Sequence, residues 1–470
     1  MRFLRAAVRL QGVAVKCQCR HAAAMAQLAD PIMLGRHEVA NRLYRAPVLE
    51  VAGNGPDAST ILQRELEPAA AAGVGLVFQG ACLVTAQGGR SAPGLSRVHD
   101  AAFVQSLRPA VEAVKQHGAR LLMQLGHGAL QTMEVWHEEY RRTHPRVETL
   151  AIAPPPRWLL AASASRVLHF DRVRVMTAEE IDDLADAFGR AAGHAAAAGY
   201  DGVHLAGANA SIFQQCWSPA FNTRDDAYGG DTIEARSAFF LRVVRAIRHH
   251  TPNDFLLTAK IPAETEAPPF VRHHLRPEDT AEIGRVAAAV GLDAIAPVRV
   301  GVTRDQATAR GAYPAIAWSD ARWQAGYRAA FGGRLKVSAI KAANRAAALA
   351  LPFEPAWNAS LCRHVKQAVD IPILCEGGVR SRDEIDHLLG SAAADMVGMA
   401  RPFYAEPRLP ARLLHDERAA AICANCNNCT IPQLTGALGV CRTPAILARR
   451  GQLQKSGAYQ SPNASPTHEP

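Results

Sequence analysis

From residue 41 onward the chain alternates short apolar runs with longer segments whose apolar positions recur at helical spacing. The runs 43–48, 74–78, 120–125, 202–205, 256–261, 294–297, 371–375 and 396–399 read as strands. Between them, 60–72, 101–116, 177–198, 233–250, 277–290, 359–369 and 382–389 read as helices. In 101–116, for example, Phe103, Leu107, Ala110, Val111 and Val114 fall on one helical face. Thr177 followed by Glu180 has the spacing of a capping box. Alternating β and α segments with apolar strands predict a parallel sheet covered by helices. Eight such units predict closure into a (β/α)8 TIM barrel. The stretches 126–176 and 298–357 are too long for ordinary connections and are expected to run over the active face as excursions.

Composition narrows the class. The chain has 470 residues, 49% of them hydrophobic and 20% charged, as in globular proteins. No run of about 18 apolar residues occurs, so no membrane span is expected. The formal net charge is +9, but the arginines are scattered rather than gathered in a stripe, which argues against nucleic acid. An anionic cofactor or substrate accounts for part of the excess, and the N-terminus for more. The first 29 residues carry Arg2, Arg5, Arg9, Lys16 and Arg20 and no acid before Asp30. That is the character of a mitochondrial transit peptide, which would place the protein in the matrix. The alternative is a true start at Met25 and a cytoplasmic protein. The expected division is a targeting or disordered segment 1–30, a barrel 31–415, a Cys-rich extension 416–450 and a disordered tail 451–470. Ten cysteines in this length do not suggest a disulfide scaffold; Cys17, Cys19, Cys82, Cys216, Cys362 and Cys375 are scattered.

Two strand ends carry glycine-bearing loops. Glu376-Gly377-Gly378 follows the seventh strand, and Gly398-Met399-Ala400-Arg401-Pro402 closes the eighth. Loops after these strands are the usual phosphate site of a (β/α)8 barrel. Ordinary turn glycines are the alternative. Between residues 199 and 236, a short strand opens into a long polar loop and then a helix started by Asp231, Thr232 and Glu234. This stretch carries, in order, G-x-D-G-V, S-P, N-x-R-x-D-x-Y-G-G and Arg236. It resembles the Old Yellow Enzyme family of FMN oxidoreductases, in the branch of trimethylamine dehydrogenase and 2,4-dienoyl-CoA reductase. The resemblance implies FMN as cofactor and NAD(P)H as reductant. It places Ala46, Pro47 and Val48 along the flavin, Gly80 and Ala81 where the ring packs close, and Gln124 at the pyrimidine edge. Lys260 stands where a cation stabilises the negative charge of reduced flavin. Gly377, Gly378, Ala400 and Arg401 match the family's phosphate motifs. His127 and Tyr228 are expected to be structural.

The family's substrate grip is altered. A His and a His or Asn three residues on normally hold the substrate carbonyl, and a Tyr two residues further gives a proton. Those positions are Ala206, Asn209 and Ser211 here. Losing one such donor typically costs about 3 kcal/mol of transition-state stabilisation. Losing a positioned acid costs roughly a hundredfold in rate. Ser211 is a poor acid that could relay a proton through water. His204 points to the same side of its strand as Ala206 and is a candidate for the altered site. A satisfied barrel-interior histidine is the alternative. The excursions add His137, Tyr140 and Tyr313 as candidates.

After the barrel, Cys423, Cys426, Cys429 and Cys441 read C-x2-C-x2-C-x11-C. Thiolates at this density hold iron–sulfur clusters or zinc. The spacing is similar to that of larger family members that carry a [4Fe–4S] cluster after the barrel. No G-x-G-x-x-G segment follows Cys441, so a cluster would need an outside electron partner or be structural. A vestigial loop with reduced thiols is the alternative. The reading that results is an FMN oxidoreductase passing hydride from NAD(P)H to a small organic acceptor. One alternative is an amine dehydrogenase or demethylase passing electrons through a cluster to a partner. Another is a flavin-binding barrel with little catalysis. A lyase or aldolase barrel has only Lys260 in its favour.

Overall fold

The computed structural model describes residues 26–162, 167–303 and 307–460. The basic N-terminal residues expected to form a targeting segment, Cys17, Cys19 and the last ten residues lie outside these ranges. Eight parallel strands form one sheet: β1 (Leu43–Arg45), β2 (Leu76–Leu83), β3 (Arg120–Gly126), β4 (Gly202–Leu205), β5 (Leu256–Ala263), β6 (Ala294–Arg299), β7 (Leu374–Glu376) and β8 (Met396–Met399). Neighbours run from β6 through β1 to β8 and β7, and a parallel bridge between Ile295 and Ile373 closes the ring. The (β/α)8 expectation therefore holds.

Register sets what meets inside. Gln124, His204 and Thr258 sit at one level on β3, β4 and β5, and Lys260 pairs with Ala296 one inward position higher. Residues opposite each other on adjacent strands share a face, so these side chains all point inward. Below them Tyr44, Leu76, Phe78, Leu122, Leu256, Leu374 and Met396 fill the barrel. A hairpin of Ile32–Leu34 and His37–Val39, not predicted from the sequence, adds Leu34 and Val39 to that core. Tyr44 fits because residue 398 is glycine: a Cβ there would lie 2.1 Å from the tyrosine ring.

The outer layer anchors the loop after β4. Helix Ala178–Ala197, with the predicted Thr177/Glu180 capping box, packs beside helix Ala238–His250. Phe188 and Phe239 from these helices meet Phe213 of the loop helix Ile212–Trp217, with ring centroids 5.2 and 5.3 Å away. Burying three such side chains contributes several kcal/mol, so this end of the loop is rigid.

The departures have local causes. The helix expected over 101–116 breaks at Leu107 into Ala101–Ser106 and Arg108–Lys115, because Pro109 cannot donate to the preceding turn. The helix expected over 233–250 divides at Ser237, whose hydroxyl donates to Ile233 O and accepts from Trp217 Nε1. The first excursion folds into short helices and a two-stranded sheet of Thr149–Ala151 and Val173–Val175. The second contains helices Ala315–Ser319, Ala321–Phe331 and Arg334–Ala350. Helix Pro444–Lys455 continues past residue 451, where disorder is expected from composition; no proline follows until residue 462.

Candidate active site

The ends of β7 and β8 come together as the sequence predicts. Gly377, Gly378, Ala400 and Arg401 line one cavity with Trp357, Asn358 and Asn425, of about 500 Å³ counting its open mouth. The backbone N–H groups of Gly378, Val379, Ala400 and Arg401 have no acceptor among the described residues. The next two, of Arg380 and Ser381, donate to Glu384, which caps helix Arg382–Gly390. That helix terminus is thus already spent, and the free donors lie just before it. Unspent amide donors converging on one cavity suit an anion. Gly378 adopts φ +80°, and a Cβ on it would lie 2.3 Å from the Glu354 carbonyl oxygen, so no other residue fits without strain. Over this loop lies Trp357, with the Arg310 guanidinium 4.8 Å from its ring. Arg310 is held by Glu266 at 2.7 Å and Glu354 at 3.0 Å. The Arg401 side chain donates to Arg310 O at 2.9 Å and to Asn427 Oδ1. It therefore ties the cavity to both the second excursion and the Cys-rich extension.

At the barrel mouth, Gln124 is buried and its amide has no hydrogen bond among the described residues. Lys260 is buried as well and pairs with the Glu376 carboxylate. The other oxygen of Glu376 is buried without a partner among the described residues. Tyr44 lies beneath, its hydroxyl pKa pushed well above the ordinary value by burial and then by the charge of Glu376. Sequence reasoning missed this pairing. The signal was the parity of β7: Leu374 faces inward, so Glu376 does too. Ala46 sits one residue past β1 and donates to Met399 O at 2.9 Å. Pro47 and Val48 follow it at half-buried positions, and Ala81 is half-buried on β2. What Gly80 makes room for is protein: a Cβ there would lie 1.8 Å from Val48 O. Its N–H donates to Glu50, whose carboxylate also pairs with Arg45 at 2.9 Å.

The loop after β4 separates the three catalytic candidates. His204 is fully buried, with Nδ1 2.8 Å from Thr258 Oγ1 and its ring 4.8 Å from Phe78. Burial, reinforced by Lys260, pushes its pKa well below the ordinary value, so it is neutral. Asn209 and Ser211 sit on the turn above. Asn209 and Ala210 both have left-handed φ, +61° and +54°. Asn209 is exposed; Ser211 is buried, and its Oγ has no partner among the described residues. Gln214 holds the turn, accepting from Ala210 N–H at 2.6 Å and donating to Glu264 at 2.8 Å and Gly301 O at 2.9 Å. Glu264, without any exposure, also accepts from Ser218 Oγ and Leu275 N–H. Ala206 stands opposite Gly126, giving a wall of small side chains.

The remaining candidates are built into the scaffold. His127 Nδ1 accepts from Ala129 N–H, and burial pushes its pKa down to about 4. Tyr228 donates to Asp182 at 2.8 Å. His137 caps helix Glu138–Thr143. Tyr140 stacks on His144, and Tyr313 lies under Arg345.

Cys423 and Cys429 are buried, Cys426 and Cys441 half-buried, and all four are free thiols. Among the described residues no group of three or more His, Cys, Asp or Glu side chains is arranged to hold a metal. The expected cluster ligands are therefore not assembled as a metal centre here. They do feel one another: burial pushes Cys429 up to about 12, the other three thiols add to the rise, and Arg401 opposes it.

A cradle of free amide donors at the last two strand ends, beside an inward Lys and Gln, makes the C-terminal mouth of this barrel suited to a phosphorylated cofactor. The model of the NADH:flavin oxidoreductase / NADH oxidase family matches residues 27–269. The chain belongs to this family. It is 26% identical over 407 residues to a metal reductase of Desulforamulus reducens, covering 86% of this chain and 51% of that protein. It thus spans about half the length of that relative. Against a 4,4'-dithiodibutanoate disulfide reductase of Rhodococcus erythropolis it is 25% identical over 433 residues, covering 90% of this chain and 97% of that one. Among solved structures, a 2-naphthoyl-CoA reductase complex superposes with a TM-score of 0.69 at 19% identity, covering 91% of this chain and 57% of that one. That likeness supports the fold. No helix among the described residues is long and apolar enough to cross a membrane.

Proposed function

We propose that the protein is an FMN oxidoreductase that takes hydride from NAD(P)H and reduces a small organic acceptor. The observation that carries this reading is the set of unspent donors at Gly378, Val379, Ala400 and Arg401 around one cavity. When bound, FMN supplies reversible hydride acceptance. The protein's part is to bind and orient. The four amides hold the phosphate, and the unpartnered Gln124 amide meets the ring edge. Lys260 supplies positive charge, tempered by Glu376. Asn209, on its strained turn, is the remaining amide donor for an acceptor, and Ser211 holds a hydroxyl nearby. With Ala206 in place of a second donor, the site suits acceptors that need less carbonyl polarisation than an enone.

A second reading is supported by the mutual proximity of the four thiols to one another and to Arg401. In it, the protein oxidises an amine and passes electrons outward through a cluster. A visible absorption spectrum of anaerobically purified protein separates the two. Two flavin bands bleached by NAD(P)H are the expected result. An added broad brown shoulder with no bleaching favours the amine reading. A colourless protein that cannot be reconstituted with FMN overturns both.

A further inference from the structure

We infer that Asn425 is a cofactor-binding residue: its side-chain amide donates to the phosphate end of the flavin, and the Cys-rich extension is thereby one wall of the site. This rests on the FMN reading above. Asn425 lies between Cys423 and Cys426, is 4% exposed, and lines the cavity formed by Gly377, Gly378, Ala400 and Arg401. Its Nδ2 is buried and has no hydrogen-bond partner among the described residues. The amide has a defined orientation, because Oδ1 takes the Cys423 thiol at 3.7 Å, which leaves the nitrogen to face elsewhere.

The residue is also pinned. Its backbone is left-handed, φ +50°, a conformation asparagine tolerates better than most residues. Its carbonyl accepts from Ala312 N–H at 2.9 Å and sits where a Cβ on Gly311 would come within 2.1 Å. These contacts fix the backbone of Asn425, and the Cys423 thiol holds its Oδ1. A buried donor left unpaired is costly, and no described residue supplies the acceptor it lacks. What surrounds it identifies the missing partner. The four free backbone N–H groups are donors too, and Arg401 adds positive charge. Glu376, the acid on the same wall, has its charge offset by Lys260 at one oxygen. A phosphate monoester fits such a wall; a neutral sugar-alcohol end would leave most of these donors unmatched. Asn427, also left-handed at φ +57°, accepts from Arg401 and donates to Ala309 O at 2.9 Å. The extension thus supplies one donor and sets the direction of another.

The test compares FMN with riboflavin, which lacks the phosphate. Full-length protein stripped of flavin is titrated with each, following flavin fluorescence, for wild type, Asn425→Gly and Asn425→Asp. Glycine keeps the left-handed backbone, and aspartate keeps the size while replacing the donor with a negative charge. Loss of a hydrogen bond to a charged group corresponds to about 10- to 100-fold in affinity. FMN should weaken by at least about tenfold in the glycine variant and further in the aspartate variant, with riboflavin changed by less than about twofold. Unchanged FMN affinity in both variants, or equal loss for FMN and riboflavin, overturns the assignment while leaving the FMN reading intact. Wild-type protein that binds neither flavin overturns both.

Discussion

Gln214 is where the loop after β4 is most exposed to a single substitution. Its fully buried side chain serves three partners: Ala210 N–H, Glu264 and Gly301 O. Gln214→Leu keeps the volume, so no cavity cost arises, but leaves an amide donor, a carbonyl and one carboxylate oxygen unpaired. At about 1–3 kcal/mol for each buried unsatisfied group, and less for Glu264, which keeps two other donors, the loss is about 4 kcal/mol. Unfolding entropy near 60 °C is about 2.1 cal/mol/K per residue, hence about 1 kcal/mol per degree for a chain of this size. The melting temperature should fall by about 4 °C. Glu264→Leu should cost a similar amount, and the double variant about 1–3 kcal/mol less than the sum, because the two side chains share a bond. Melting followed by circular dichroism, with proteolysis sites mapped in parallel, measures both. New cleavage should appear near Asn209, since Ala210 is what Gln214 restrains. A melting temperature within about 1 °C of wild type, or strict additivity, would refute the reasoning.

Three further outcomes are expected. Glu376→Gln leaves Lys260 without its counter-charge; the flavin midpoint potential should rise by about 30–60 mV, as for about 1.4–2.8 kcal/mol over a two-electron couple, and a fall in dye-equilibration titrations would contradict the placement of Lys260. Gly378→Ala forces a Cβ to 2.3 Å from Glu354 O at φ +80° and should lower the flavin-to-protein ratio retained after gel filtration; full retention would mean that this loop does not cradle the cofactor. His127, with a folded-state pKa of about 4 against an ordinary 6.5, takes up its proton in the unfolded chain first, so its contribution is intact above pH 6.5 and falls away toward pH 4. That term amounts to about 3 kcal/mol at the acid end, and urea unfolding at pH 7 and pH 5 should show His127→Gln losing less stability on acidification than wild type.

The barrel was legible because each strand and helix announces itself locally. Strands β4 and β8 begin and end where their apolar runs do, and the Thr177/Glu180 box starts its helix as spaced. These signals depend on neighbours in the chain and survive without knowledge of the fold. The meeting of the two glycine-bearing strand ends was legible for a related reason: strand order in a (β/α)8 barrel brings the seventh and eighth strand ends together whatever else happens. What lay beyond reach were contacts between residues far apart in sequence. Lys260 reads as a free cation until Glu376, more than a hundred positions on, is found beside it. His204 reads as a candidate for the mouth until Thr258 and Phe78 are found holding it in the interior. Four cysteines stand at cluster spacing, but spacing does not state that Cys423 and Cys429 are buried while Cys426 and Cys441 are half-buried. Sequence alone determined the alternation of strand and helix that builds the barrel and which strand ends carry glycine. Tertiary structure decided which charges cancel, which amides stay unspent and which loop closes over them, because those quantities depend on distance and burial, and neither is local to the chain.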